Sequence, residues 1–391
     1  MAKIQLGLGA SFEKSGTWWP FLFTTMALAS ENSSKAIFQD GAGNRVVMFG
    51  NNLDASDEGD VAGTVDHVII QNDKGQLILD AEGISVKYEA LYFAALGEFL
   101  AVTEVVRLVS TKDDTILGTN FSDELMVGED GGDDLVKGFG GDDFFRASGG
   151  DNTLIAGNGH DELAYHFSWS GGLPKRGANV DNAAGSAINP WGGRDEISGF
   201  EVFRGSQKDD VYAGNGGNET FRTLGGNDKV DGRGGRDTID YDFDNNYGGE
   251  DGIVANLVTG KVIDGYGYTD TVKNIEAIIG TEYADSFVGS DKGDEFTGLS
   301  GNDTFRGGQG ADMFLFATGF EKDKISDFDT SGKDHDTIVL DGFEGINRYT
   351  DLKDHFEKKG SAVEITLGNG DVLILEGVVP GELNKTLFDF S

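Results

Sequence analysis

The chain has 391 residues, 68 of them acidic and 31 basic, for a formal charge of -37, with 61 glycines, 4 prolines and no cysteine. No cysteine means no disulfide and no thiolate metal site, and charge of this sign opposes binding to nucleic acid or direct adhesion to anionic membranes. No apolar run approaches the roughly twenty residues that a membrane-spanning helix needs.

Residues 1–108 read as a small β-rich domain, most simply a cap. Val46 to Phe49, Val68 to Ile70, Leu77 to Leu79 and Ile84 to Val86 are short apolar strands between Gly, Asn and Asp turns. The stretch from Glu89 to Val106 fits one amphipathic helix or a pair of shorter ones. Trp18 to Ala29 imitates the end of a cleaved export signal, but Glu13 and the opening tryptophans and proline argue against that reading.

From residue 109 a nine-residue frame takes over, clearest at Gly298-Leu-Ser-Gly301-Asn-Asp303-Thr-Phe305-Arg306 and the nine residues after it. Glycines permit a tight left-handed turn, the aspartate places a carboxylate in that turn, and the apolar residue two places on starts a short inward-facing strand. The frame is that of a calcium-binding parallel β-helix.

In the first block, residues 109–164, the acids are Asp114, Asp123, Asp133, Asp142 and Asp161, with Asn152 in one slot. The second, 206–240, offers Asp209, Glu219, Asp228 and Asp237, and the third, 281–316, offers Asp285, Asp294, Asp303 and Asp312. Two nonapeptides complete a coil, so same-side acids recur about eighteen residues apart, and Asp285 should face Asp303 as Asp294 faces Asp312. Stacked carboxylates repel unless a hard dication lies between them, which makes several calcium ions part of the structure. Without them so acidic a chain should be expanded.

The gaps at 165–205 and 241–280 match each other. Asp195 and Asp270 are each followed by apolar residues at two, five and eight positions, glutamate at six and glycine at ten, a higher-order repeat of about seventy-five residues. Each gap should add wider β-helix coils. Tyr165, His166, Trp169, Lys175 and Arg176 in the first, and Tyr241, Phe243, Tyr247, Tyr266 and Tyr268 in the second, fit either a sugar-binding surface or a cover for the flank. In residues 317–391, Val363 to Leu367 and Val372 to Leu375 flank Gly368-Asn-Gly370-Asp371 as a hairpin that closes the open sheet edge.

On these nonapeptides the chain resembles the RTX (repeats-in-toxin) proteins secreted by Gram-negative bacteria, with a serralysin-like parallel β-roll. The resemblance implies an all-β fold of calcium-binding repeats between an N-terminal β-rich cap and a C-terminal hairpin cap. It also implies that Asp327 and Asp336 belong to a terminal element with its own acids. The tail from Leu383 to Ser391 is similar to the uncleaved signals read by the family's type I secretion apparatus.

The family holds enzymes and non-enzymes alike, so the repeat does not choose an activity. The five histidines, His67, His160, His166, His335 and His355, make no zinc-protease pair, and no Gly-x-Ser-x-Gly elbow is present. The leading expectation is a secreted, non-enzymatic calcium-binding protein of an extracellular matrix or surface layer, with acidic exopolysaccharide or cell-surface glycan as partner. Its rivals are a calcium-dependent polysaccharide lyase or epimerase using Tyr165, His166, Lys175 and Arg176, and a secreted pore-forming effector.

Overall fold

Three-residue strands recur along the chain because each nonapeptide leaves only its last positions outside the glycine turn. In Ser286–Val288, Glu295–Thr297 and Thr304–Arg306 the middle side chain is buried and its neighbours point outward, as strand alternation requires. In a computed structural model the described residues are 3–6, 27–32, 34–39, 45–54, 62–71, 77–87, 113–118, 120–127, 131–166 and 174–390. The chain divides into two units, residues 1–202 and 203–391.

In the first unit the strands Thr115–Leu117, Leu135–Gly140, Thr153–Asn158 and Arg194–Ser198 pair in parallel. Glu124–Met126, Phe144–Arg146 and Glu162–Ala164 form a second parallel set. The buried middle residues Ile116, Val136, Leu154, Leu125, Phe145 and Leu163 lie in the core of this roll.

Ahead of it, Ala27–Asn32, Lys35–Gln39, Arg45–Asp54, Ala62–Gln71 and Leu77–Lys87 form an antiparallel meander. Lys3–Leu6 pairs with Leu77–Lys87 on one edge and with Thr115–Leu117 on the other, so the cap's sheet continues into the roll. The two apolar runs at 77–79 and 84–86 are one strand, not two, because both neighbours pair across the residues between them. The expected helical stretch at 89–106 and residues 18–26 lie outside the described residues, while Ala27 to Ala29 begins a strand.

The second unit repeats the roll. Val211–Ala213, Lys229–Asp231 and Thr269–Lys273 pair in parallel, as do Val254–Asn256, Ser286–Val288, Thr304–Arg306, Lys322–Ile325 and Val372–Glu376. Thr220–Arg222 begins the facing set, which continues through Thr238–Asp240, Ala277–Ile279, Glu295–Thr297, Met313–Ala317, Thr337–Asp341 and Phe388–Phe390. Phenylalanines stack along the axis, Phe287 on Phe305 at 4.9 Å and Phe296 on Phe314 at 5.6 Å between centroids. Burying each such ring stabilises the fold by about 1.5–3 kcal/mol.

The gaps are not wider coils. Each is a three-stranded antiparallel meander, Asn179–Asp181, Ser186–Ile188 and Arg194–Ser198 in the first and Val254–Asn256, Lys261–Ile263 and Thr269–Lys273 in the second. Gly185 and Gly260, at φ +65° and +63°, close the first hairpin of each where a side chain would be strained. The third strand returns to the parallel pairing, Ile197 beside Leu154 and Val272 beside Val230. At the far end, Ala362–Thr366 and Val372–Glu376 form the expected hairpin, and Phe388–Phe390 pairs with Thr337–Asp341.

Candidate metal centres along the turns

The turns are joined from coil to coil by their acids. The backbone N–H of Asp285 donates to Oδ1 of Asp303 at 2.8 Å, and that of Asp294 donates to Oδ1 of Asp312 at 2.9 Å, both across eighteen residues. Asp303 is held in turn by Asp323, and Asp312 by Asp336. Earlier in this unit, Asp210 donates to Asp228, Asp228 to Asp270, Glu219 to Asp237 and Asp237 to Glu276. In the first unit one row runs Asp114, Asp134, Asn152, Asp195, and the other runs Asp123, Asp143, Asp161, Glu201.

Four expected residues stand elsewhere. Asp133, Asp142 and Asp209 are exposed, and the ladder is made by Asp134, Asp143 and Asp210, each one residue later and buried. The side chain two places on decides the phase: Val136, Phe145 and Tyr212 are buried, whereas Leu135 and Phe144 are half-buried and Val211 is exposed. At the terminal element Asp323 takes the ladder position, while Asp327 accepts the N–H groups of Gly307 and Gly308 at 2.9 and 3.1 Å. The members missed in sequence are Asp195, Glu201, Asp270 and Glu276, which carry the ladder across the two meanders.

The chemistry of these turns suits a hard dication. Asp143, Asp161, Asp237, Asp303, Asp312 and Asp323 each spend one oxygen on the N–H of the preceding coil, and the second oxygen of each is buried without a hydrogen-bond partner. Backbone carbonyls face the same gaps. A Cβ on Gly159 would collide with the carbonyl oxygen of Gly141, and one on Gly310 with the carbonyl of Lys292, so adjacent turns stack carbonyl against glycine. Among the described residues no three acidic or histidine side chains enclose an ion by themselves. Calcium accepts carbonyls and water alongside a few carboxylates, so one acid per turn suffices.

The acids also resist ionising without a cation. Burial raises Asp143, Asp237 and Asp312 to about 7, Asp303 to about 8 and Asp323 to about 9, and neighbouring carboxylates in the rows add to the effect. The family model of the RTX calcium-binding nonapeptide repeat matches residues 130–163, 213–247 and 279–314. These segments carry RTX repeats, and RTX repeats bind calcium. No curated protein matches it in sequence. Among solved structures it is similar to the extracellular lipase LipA from Serratia marcescens at 17% identity, over 72% of this chain and 40% of that one, with a TM-score of 0.24. The chain thus spans well under half of that lipase, and so loose a likeness carries no argument about activity.

The remaining candidates divide between core and surface. Tyr165 and Tyr241 are fully buried, donating their hydroxyls to Asp195 at 2.8 Å and to Asp270 at 2.9 Å, so they brace the returning strands from inside. His166 is half-buried, Lys175 and Arg176 are exposed, and Trp169 lies outside the described residues. Phe243 lies under the guanidinium groups of both Arg204 and Arg222, at 4.4 and 4.5 Å from its centroid. Tyr266 donates its hydroxyl to the carbonyl of Asp244, leaving Tyr268 as the exposed aromatic of this segment.

Proposed function

We propose that this RTX protein is secreted, folds on calcium outside the cell, and acts there without catalysis as a component of a matrix or surface layer that holds acidic glycan. The observation that carries the reading is the set of buried repeat carboxylates with one oxygen bonded and the other unpartnered, Asp143, Asp161, Asp237, Asp303, Asp312 and Asp323. Binding restricted to the native state adds its free energy to folding, so a chain short of calcium stays unfolded and one at millimolar calcium folds. An unfolded chain suits passage through a type I channel. The ligand set proposed for the ions is Asp114, Asp123, Asp134, Asp143, Asp161, Asp210, Asp228, Asp237, Asp285, Asp294, Asp303, Asp312 and Asp336 with turn carbonyls.

Two observations support a non-enzymatic role. Tyr165, the one tyrosine weighed as a catalytic base, is sealed in the core against Asp195. The acids of the repeats are committed to inter-coil hydrogen bonds. Tyr268 and Tyr283 are exposed and could stack on sugar rings, with calcium bridging to uronate groups. Sedimentation with an acidic exopolysaccharide tests this. Calcium-dependent co-sedimentation is the expected result, whereas no retention, or unsaturated uronate absorbance appearing on incubation, would overturn it.

A further inference from the structure

The two meanders are built alike but handle buried charge in opposite ways. In the first, Asp195 is the lone carboxylate, and neutral donors surround it: Asn152 Nδ2 at 2.9 Å, Asn189 Nδ2 at 3.1 and 3.3 Å to its two oxygens, and the Tyr165 hydroxyl at 2.8 Å. In the second, Asp270 has the place of Asp195, with the Tyr241 hydroxyl at 2.9 Å and the Asp228 N–H at 2.9 Å. Both amides have become acids. Asp228 stands where the first meander has Asn152, and Asp264 stands six residues before Asp270, as Asn189 does before Asp195.

Asp264 keeps the local role of Asn189. Its Oδ1 accepts the N–H groups of Tyr266 and Tyr268 at 3.0 and 2.7 Å, much as Asn189 Oδ1 accepts those of Trp191, Gly192 and Gly193. What differs is the other end of the side chain, where an amide that donated to a carboxylate is replaced by a bare oxygen. Asp264 Oδ2, Asp228 Oδ2 and Asp244 Oδ1 are all buried without a hydrogen-bond partner, and the three residues are at most 1% exposed. Asp244 enters from the start of the same meander, its Oδ2 accepting the N–H of Gly265, the residue after Asp264, at 3.0 Å. No basic side chain pairs with any of these acids among the described residues.

Buried carboxylates without a counter-charge are strongly unfavourable. We propose that Asp244 and Asp264, with Asp228 of the adjoining turn, hold a calcium ion that pins the second meander to the roll and has no counterpart in the first. The donors are all hard oxygens, which select calcium over softer metals. The three carboxyls do not enclose an ion alone, so backbone carbonyls and water complete the shell.

The test is a count of calcium bound per full-length chain by atomic emission after equilibrium dialysis at millimolar calcium, with the free ion outside the bag subtracted. Asp264→Asn should fold, since asparagine already serves at 189, and should hold one ion fewer than wild type. Asp244→Asn should lose the same ion. Unchanged counts in both Asp264→Asn and Asp244→Asn would overturn the inference. If Asp264→Asn does not fold in calcium, asparagine is not an adequate replacement there and the inference also fails. A wild-type chain holding no calcium would instead overturn the reading of the repeats themselves.

Discussion

Asp142 and Asp143 are neighbours with the same side chain and opposite surroundings. Asp143 is buried, accepts the N–H of Asp123 at 2.8 Å and keeps its other oxygen unpartnered, whereas Asp142 is exposed and accepts the N–H of His160 at 2.9 Å. The difference in burial recurs at Asp133 and Asp134 and at Asp209 and Asp210. Turns with paired aspartates therefore have an inner acid, set against the next coil in a dry gap, and an outer acid that ties the turn's rim in water. Charge count does not separate the rows. Position against the buried strand residue does.

The largest way to test that division is to remove the calcium. Stripping calcium at neutral pH should abolish most of the β signal in circular dichroism and expand the chain in size-exclusion chromatography, and a compact β-rich state without calcium would refute the role given to the inner row. Next, Asp303→Asn in the inner row should raise the calcium midpoint for folding about tenfold or more, equivalent to roughly 1.4 kcal/mol, because a charge-assisted bond and a cation contact are lost together.

A smaller effect is expected from pH on the calcium-free chain. The folded state raises the inner acids to about 7 for Asp143 and about 8 for Asp303, above the ordinary value of 3.8, so it binds more protons than the unfolded chain across that window. The stability this contributes is present at acid pH and is lost as pH rises through 7 to 8. Residual β structure in metal-free buffer should thus be greater at pH 5 than at pH 8; the reverse order would show that the inner acids are not buried. The smallest effect belongs to the outer row, where Asp142→Asn should move the calcium midpoint by less than about twofold, as for an ordinary surface change.

Much of the architecture was legible because the spacing of acid and apolar residue is also the geometry of turn and strand. Asp285, Asp294, Asp303 and Asp312 each have one acid, one glycine frame and one phenylalanine, so only one register fits. The register slipped where two aspartates are adjacent and both are followed two places later by an apolar residue, Leu135 and Val136 or Phe144 and Phe145. A glycine stands two places before both acids of each pair, Gly131 and Gly132 or Gly140 and Gly141, so the turn frame does not separate them. Asp195, Glu201, Asp270 and Glu276 keep the acid-to-apolar spacing to Ile197, Phe203, Val272 and Ile278, but two places earlier only the first two have a glycine, Gly193 and Gly199, while the others have Tyr268 and Asn274. The meanders were hidden because their pairing is antiparallel and local, a pattern that coil counting does not register.

The bond from each turn's N–H to the carboxylate one coil later gives the array a direction. A coil is clasped by the one that follows it in sequence, as Asp285 is by Asp303 and Asp303 by Asp323. Trimming the chain from its high-numbered end therefore removes acceptors from the coil left behind, while trimming from the low-numbered end removes only donors. In residues 203–391 the closing hairpin supplies the last such acceptor, Asp371, which takes the N–H groups of Gly319 and Glu321.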